Sequence, residues 1–419
     1  MHKKILSLLF ISFIIHTSEA ISSQLDTSVD EIESVAGGIN GSINFYNVGN
    51  GHAAVITSEG RPPLICDAGT VAHGVIHRNK ANIVAPIIAD IQASFLTLDP
   101  VQYGNRLPLS ICISHPSMDH FNLIRHILTR LPINEETPLL VHTMLGGERV
   151  NYQLRTGGHQ YVEGQALLGA LQAAHLGDVG EEEEDVNEED YMRFSAGRHL
   201  NTPAEINWLL HRQNINAEEE EDVNWEGDPI ITHFFGQTDL GIVPAGADAN
   251  DQKSIVTRVS INNWSAVFQG DALRVNTDAI IGLGEQQEFE ADILHASLQG
   301  GGVDRANQPT WIQHVNPRYG IFSAGQRGNP HFHPRAGVIK RFFFEGNRLF
   351  VAAHQHNIHL FNPNGVAIPH LYNVRNSQYG GVIKRTRYGV YTPFSSGNIR
   401  FNSQNIEPVT QYAALPGYL

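Results

Sequence analysis

The stretch Ser114-His115-Pro116-Ser117-Met118-Asp119-His120 puts two histidines and a carboxylate into seven residues, with the spacing H-x-x-x-D-H. Imidazole nitrogens beside a carboxylate suit a borderline cation such as Zn²⁺. A second carboxylate, Asp271, closes another apolar run in Phe268-Gln269-Gly270-Asp271. If the two halves of the chain face each other, Asp271 arrives at the same edge as His115, Asp119 and His120, where it can bridge or close a cation site. Taken alone, the first motif also has a structural reading, with histidine and aspartate bonding each other and nearby backbone.

The elements around these residues set where they must lie. An apolar run at 109–113 precedes the first motif and an amphipathic helical pattern at 121–131 follows it, so a strand delivers the motif at its C-terminal end. In open α/β sheets that edge is where ligands bind. Short β patterns at 43–48, 53–57 and 63–67 form a meander ending in Asp67-Ala68-Gly69, a helical pattern covers 81–96, and 138–143 and 164–176 read as strand and helix. Strands resume at 230–235, 254–261, 264–269, 291–295 and 319–324, with helical patterns at 306–315 and 334–344 and β patterns at 348–353, 357–361 and 380–401. The same β-then-αβ order occurs twice and predicts an α/β sandwich.

Composition narrows the setting. Basic His2, Lys3 and Lys4, an apolar stretch at 5–15 and Ser18-Glu19-Ala20 read as an export signal cleaved after Ala20. The apolar stretch is shorter than the roughly 20 residues a bilayer span needs, so the mature protein is expected to be soluble, periplasmic or extracellular, without a stable membrane span. Cys66 and Cys112 are the two cysteines. A bridge is conceivable if their strands are neighbours, but two buried thiols are the preferred reading, because adjacent parallel strands seldom aim both Cβ vectors suitably. The net charge of -15 is concentrated between Asp178 and Asp228, where 17 acidic residues face Arg193, Arg198 and Arg212. With the remainder close to neutral, charge gives no support for a nucleic-acid partner.

That acidic insertion contains EEEEDVN twice, at 181–187 and 218–224, with a helical pattern at 203–212 carrying Trp208 and Leu209 on its apolar side. It is expected to be largely solvated. A weak Ca²⁺ site among its carboxylates is the sharper alternative, and a protein partner docking on it is another.

Four segments together resemble the metallo-β-lactamase fold, in the branch typified by the C-terminal domain of competence-type DNA-uptake proteins. They are Asn44-Phe45-Tyr46-Asn47-Val48-Gly49-Asn50-Gly51-His52-Ala53 with Leu64-Ile65-Cys66-Asp67-Ala68-Gly69; Ile113 to His120; Asn250 to Ala272, ending in Gly270-Asp271; and Ile321-Phe322-Ser323-Ala324-Gly325 with Asn329 and His333-Pro334. The resemblance implies a four-layer αββα sandwich with the site between two sheets, and hydrolysis of esters, amides or phosphodiesters with one or two metals. The organisation expected is a signal peptide at 1–20, a flexible lead-in at 21–41, a metallo-β-lactamase-like domain at 42–405 carrying the insertion at 178–228, and a C-terminal tail at 406–419.

The chain departs from the family pattern at two ligands. Ser117 stands where the motif has a histidine or aspartate, and the family's late His-His-Gly-Ser turn falls on Leu298-Gln299-Gly300-Gly301. The histidine usually found between the first motif and Gly-Asp has no firm counterpart, His142 and His233 matching only loosely. A single Zn²⁺ is therefore expected on Asp119, His120 and Asp271, with His115 nearby and His295 or His333 as a fourth ligand. Such a cation would acidify water and polarise a substrate oxygen, with Asp119 or Asp271 taking the proton and a histidine protonating the leaving group. A rival site is His354-Gln355-His356 with His359, and His331 with His333; exposed or hydrogen-bonded histidines are the reading we favour there. The two functional expectations are an exported metal-dependent hydrolase acting on a small-molecule phosphoester or other ester, and a catalytically inactive relative that binds partners through its acidic insertion.

Overall fold

Strands β3 (Arg61–Ala68) and β4 (Leu107–Ile113) lie side by side and parallel, linked by the helix Lys80–Phe95, and their ends carry the first half of the site. Both strands are buried almost throughout, as central strands covered on both faces must be. In this computed structural model the residues described are 41–49, 51–70, 80–131, 137–153, 159–176, 187–195, 203–211, 230–235, 251–261, 264–282, 289–301, 306–323, 338, 341–342, 360–361, 367–368, 383–384, 389–391, 398–402 and 405–411.

The first sheet also contains β1 (Gly41–Phe45), β2 (Ala53–Ser58), β5 (Leu139–Leu145), β6 (Met192–Phe194), β16 (Asn398–Asn402) and β17 (Asn405–Gln411). It runs β17-β16-β1-β2-β3-β4-β5-β6, antiparallel as far as β3 and parallel from β3 to β6. The second sheet is built from β7 (Ile230–Phe235), β8 (Val256–Ile261), β9 (Trp264–Phe268), β10 (Ile293–His295), β11 (Tyr319–Ile321), β14 (Ile383–Lys384) and β15 (Gly389–Tyr391), in the order β14-β15-β11-β10-β9-β8-β7. It too passes from antiparallel β7-β8-β9 to parallel β9-β10-β11-β15. A separate ribbon pairs β12 (Leu360–Phe361) with β13 (Ala367–Ile368). The protein is thus an α/β fold with two large mixed sheets flanked by helices.

Side-chain alternation sorts each strand between two cores. From β2, Ala53 and Val55 join helices Lys80–Phe95, Ile124–Leu128 and His159–Leu176 in one cluster, while Ala54 and Ile56 join a second. That second cluster takes residues from both sheets, including Leu64, Cys66 and Cys112 from the first and Val259, Phe268 and Ile293 from the second. On the far side, Val256, Val267 and Leu294 pack on Trp311, Ile312 and Val315 of the helix Pro309–Val315. Cys66 and Cys112 are opposite one another in the β3–β4 register and are free buried thiols. Burial pushes the Cys112 thiol up to about 12, so neither a bridge nor a ready thiolate is present there.

Two local expectations change. The helix predicted over 121–131 instead starts at Met118, breaks at Asn122-Leu123 and resumes over Ile124–Leu128. The break has a cause in the neighbouring turn: Asn122 accepts from Thr70 N and donates to Thr70 O, and Leu123 N donates to Ala68 O. The acidic insertion is not simply solvated. Met192–Phe194 extends the first sheet as β6, and the helix Pro203–Leu209 brings Leu209 and Leu210 into the core shared by the two sheets. The repeated runs, and with them the Ca²⁺ reading, lie outside the described residues apart from Asn187, which caps the short turn Glu188–Asp190. The patterns at 334–344 and 348–353 also lie largely or wholly outside them. Among the described residues no helix is long and apolar enough to cross a membrane.

Candidate metal centre

The site begins where β4 runs out. After Ile113 the chain turns through Ser114-His115-Pro116-Ser117 and enters a helical turn at Met118, so Asp119 and His120 sit in its first turn. Asp67, ending β3 with a positive φ of 55°, holds this turn in place. It accepts from Ser114 N (2.7 Å) and Ser114 Oγ (2.6 Å), and it pairs with His120 Nδ1 at 2.9 Å. A carboxylate on Nδ1 fixes the ring's orientation and aims Nε2 into the site. The backbone joins in, with His52 N donating to Asp119 O and Gly69 N to His52 O.

Gly69 is required at its position because a Cβ there would overlap the backbone of Met118, Asp119 and His120. Gly69→Ala is therefore expected to lower stability by about 1–3 kcal/mol through overpacking, read as a reduced urea midpoint with an unchanged slope. A wild-type midpoint would show that the turn yields freely.

The second sheet supplies the other wall. Ile255 N donates to Ser114 O (2.8 Å), stitching the approach to β8 onto the His115 turn. Gly270, with φ +54°, lets Asp271 reach the same place; a Cβ there would meet the Ser114 side chain. His115 Nε2 lies 3.5 Å from Asp251 Oδ1 and 3.8 Å from Asp271 Oδ2. His120 Nε2 lies 3.3 Å from Asp271 Oδ2 and 3.9 Å from Asp119 Oδ2. His52 stacks on His120, ring centroids 4.4 Å apart, with its Nε2 3.8 Å from Asp271 Oδ1.

These buried groups form three triads whose ligand atoms lie within 4.8 Å of one another: His52–Asp67–His120, His115–Asp251–Asp271 and Asp119–His120–Asp271. Ligands about 2.0–2.2 Å from a zinc ion stand roughly 3.2–3.6 Å apart at tetrahedral angles, close to the spacings seen. The fit has a second sign. Both ring nitrogens of His52 are buried without a hydrogen-bond partner among the described residues, which is rare for groups that carry neither water nor an ion. The buried His/Asp triads could hold a metal ion.

The electrostatics follow from this crowding. Burial alone pushes His120 down, but Asp271, then Asp67, then Asp119 outweigh it and hold it well above the usual imidazole range. Burial raises Asp271, and the histidines His120, His115 and His52 more than reverse that, so its carboxyl lies below the usual range. Burial, helped by His120 and His295, keeps His52 well below its usual value.

The predicted site residues distribute unevenly. His115, Asp119, His120 and Asp271 come together. His295 ends β10 behind His52, ring centroids 4.6 Å apart, and its Nε2 is 2.5 Å from Ser323 Oγ, so it is outside the triads; burial lowers it to about 4. His333 lies outside the described residues, as do His331, His354, His356 and His359 of the rival site. His142 is outside the triads, its ring stacked with those of Trp208 and His211 and its Nδ1 on Trp208 O. The side chain of His233, on β7, is likewise outside what is described.

Ser117 and Gln299, which stand where the resemblance implies metal ligands, do reach the centre. Ser117 Oγ donates to Asp119 Oδ1 (2.7 Å), and Gln299 Nε2 donates to Asp119 Oδ2. Leu298 and Gln299 both adopt positive φ, 50° and 53°, conformations costly for side chains other than glycine. Leu298 N also donates to Asp271 Oδ1 at 3.2 Å.

Sequence reasoning missed His52 and Asp251 as site groups and noted Asp67 only as part of a turn. The sequence marks them only by Gly51-His52 ahead of β2 and by Asn250-Asp251, a carboxylate where the resemblance implies an imidazole. In comparisons with protein-family models and with curated proteins, the chain has no match.

Proposed function

We propose that this protein is an exported metal-dependent hydrolase of the metallo-β-lactamase type, a four-layer αββα sandwich acting on a phosphoester or other ester with one bound Zn²⁺. The observation that carries the proposal is Asp271, shared by two buried triads and delivered by one sheet to the histidines of the other. The order of the motifs along the chain supports the family, and the N-terminal pattern supports export. A divalent cation in this cluster supplies Lewis acidity to a carbonyl or phosphoryl oxygen and eases deprotonation of water near neutral pH. The chain's own residues do the rest: Asp67 orients His120, Gly270 admits Asp271, and Asp119, clamped by Ser117 and Gln299, is the carboxylate placed to accept a proton.

A second reading is an inactive relative serving as a binding module. The hydrogen bonds from Ser117 and Gln299 to Asp119 favour it, because they satisfy a carboxylate that would otherwise seek a cation. Metal analysis of the purified chain, with hydrolysis of bis-p-nitrophenyl phosphate and p-nitrophenyl acetate before and after chelation, separates the two. The hydrolase reading expects about one ion per chain and turnover that chelation removes and Zn²⁺ restores. Protein free of ions and inert on both substrates would leave the binding module.

A further inference from the structure

His52 enters the centre directly ahead of β2, and its backbone is fastened to the first motif on both sides. His52 N donates to Asp119 O and Gly69 N to His52 O, each at 2.8 Å. Gly51 before it runs so close to Gly69 and Thr70 that a Cβ there would overlap their backbone. The ring therefore stays in register with the turn that carries Asp119 and His120. It is 1 % exposed, stacks on His120 with the two planes 18° apart, and meets His295 edge-on.

Among the described residues neither nitrogen of this ring has a hydrogen-bond partner. A histidine kept for its shape alone is a poor choice at such a place. Both nitrogens lose their hydration without a replacement, whereas a phenylalanine ring would stack with no polar atom to satisfy. Asp271 Oδ1 lies 3.8 Å from His52 Nε2. That is beyond hydrogen-bond reach but within the roughly 4 Å that two ligands of one zinc ion span at a wide angle. Asp271 turns its other oxygen to the neighbouring ring, with His120 Nε2 3.3 Å from Oδ2. Each histidine thus faces a different oxygen of one carboxylate, and a cation chelated by that carboxylate is in reach of both. His295, the third imidazole of the group, instead pairs its Nε2 with Ser323 Oγ.

Resting on the metal-dependent reading above, we infer that His52 is a ligand of the resident ion, its Nε2 joining His120 Nε2 and the carboxylate of Asp271. Two imidazoles and a carboxylate, with a position left for water, make the donor set of an open zinc site. His52 takes the place that the sequence expectation gave to His295 or His333.

The test is Zn²⁺ titration of the metal-free full-length protein by calorimetry, with the visible absorption of Co²⁺ bound in its place as a second readout. Wild type should take about one equivalent. His52→Phe keeps the ring stack and removes both nitrogens. It should weaken Kd by at least about 100-fold, beyond the 10–100-fold typical of outer-shell partners. It should also shift the Co²⁺ bands, because water replaces an imidazole donor. The urea midpoint of metal-free His52→Phe should be no lower than that of wild type, since no hydrogen bond is lost. His52→Gln, whose amide is a poor zinc ligand, should weaken binding to the same degree, which keeps the test decisive if phenylalanine does not fit.

A wild-type Kd in both variants overturns the assignment while leaving a metal centre on the other residues. A loss within the outer-shell range with unchanged Co²⁺ bands makes His52 a positioning group for His120, and overturns it as well. Wild type that binds no ion overturns the functional reading itself.

Discussion

Asp271→Asn should abolish ion uptake and hydrolysis together. Asp271 belongs to both triads that combine the two sheets, and its carboxylate oxygens lie 3.3 Å from His120 Nε2 and 3.8 Å from both His115 Nε2 and His52 Nε2. Among the described residues the neighbouring carboxylates are committed elsewhere: Asp251 lies on the His115 side, Asp67 holds Ser114 and His120 Nδ1, and Asp119 is held by Ser117 and Gln299. The loss in affinity is expected to exceed about 100-fold. The metal-free fold should suffer as well. The Asp271 carboxyl is held below its usual range by three histidines, and removing one partner of a buried charged pair costs about 3–5 kcal/mol. Calorimetry with Zn²⁺ and urea melts of the metal-free protein measure the two effects separately. Unchanged affinity would place the ion elsewhere; unchanged metal-free stability would mean the imidazoles are neutral without Asp271.

Acid should destabilise this protein well before its carboxylates titrate, and His142→Phe should reduce the effect. His142, on β5, lies parallel to Trp208 (ring centroids 4.7 Å apart) and to His211 (3.9 Å). The groups facing this stack are His175 from the helix His159–Leu176, Arg106 ahead of β4, and Arg193 of β6, which sits 4.0 Å over Trp208 and pairs with Glu205. Burial lowers His142 to about 4, with His175, Arg193 and Arg106 adding to it, and burial together with His142 holds His211 well below its usual value.

An unfolded histidine titrates near 6.5, so the unfolded chain binds the proton first. The stabilisation is complete above about pH 6.5 and is lost as pH falls toward 4, on the order of 3 kcal/mol for His142. Phenylalanine keeps the stack but loses the Nδ1 contact with Trp208 O, at about 1 kcal/mol near neutral pH. Urea midpoints at pH 7, 5.5 and 4.5 should therefore fall less steeply in His142→Phe than in wild type. Parallel slopes would show that this histidine does not protonate on unfolding.

Much of the scaffold was legible because its signals are local. Alternation in Ala53–Ser58 and the nearly unbroken apolar run of Leu107–Ile113 follow from the period of a strand and from burial on one face or two. Strand ends carrying Asp67, His115 and Asp271 could be read directly. The helix after the motif was misplaced by three residues, since its break depends on Asn122 meeting Thr70 across the neighbouring turn. The acidic insertion was read too simply because charge dominates its composition, while Trp208, Leu209 and Leu210 settle where its helix packs.

The sequence by itself determined the donor types and the strands that end in them, because a strand's periodicity and its terminal turn are written in consecutive residues. Only the tertiary structure decided the company those donors keep. His52, Asp67, His115, Asp251 and Asp271 are spread over more than two hundred positions and meet because the two sheets share a core cluster. It also decided the state of Asp119. A carboxylate reads the same in a sequence whether a cation or two hydrogen-bond donors await it; the direction of the Ser117 hydroxyl and the Gln299 amide is a property of the folded turn.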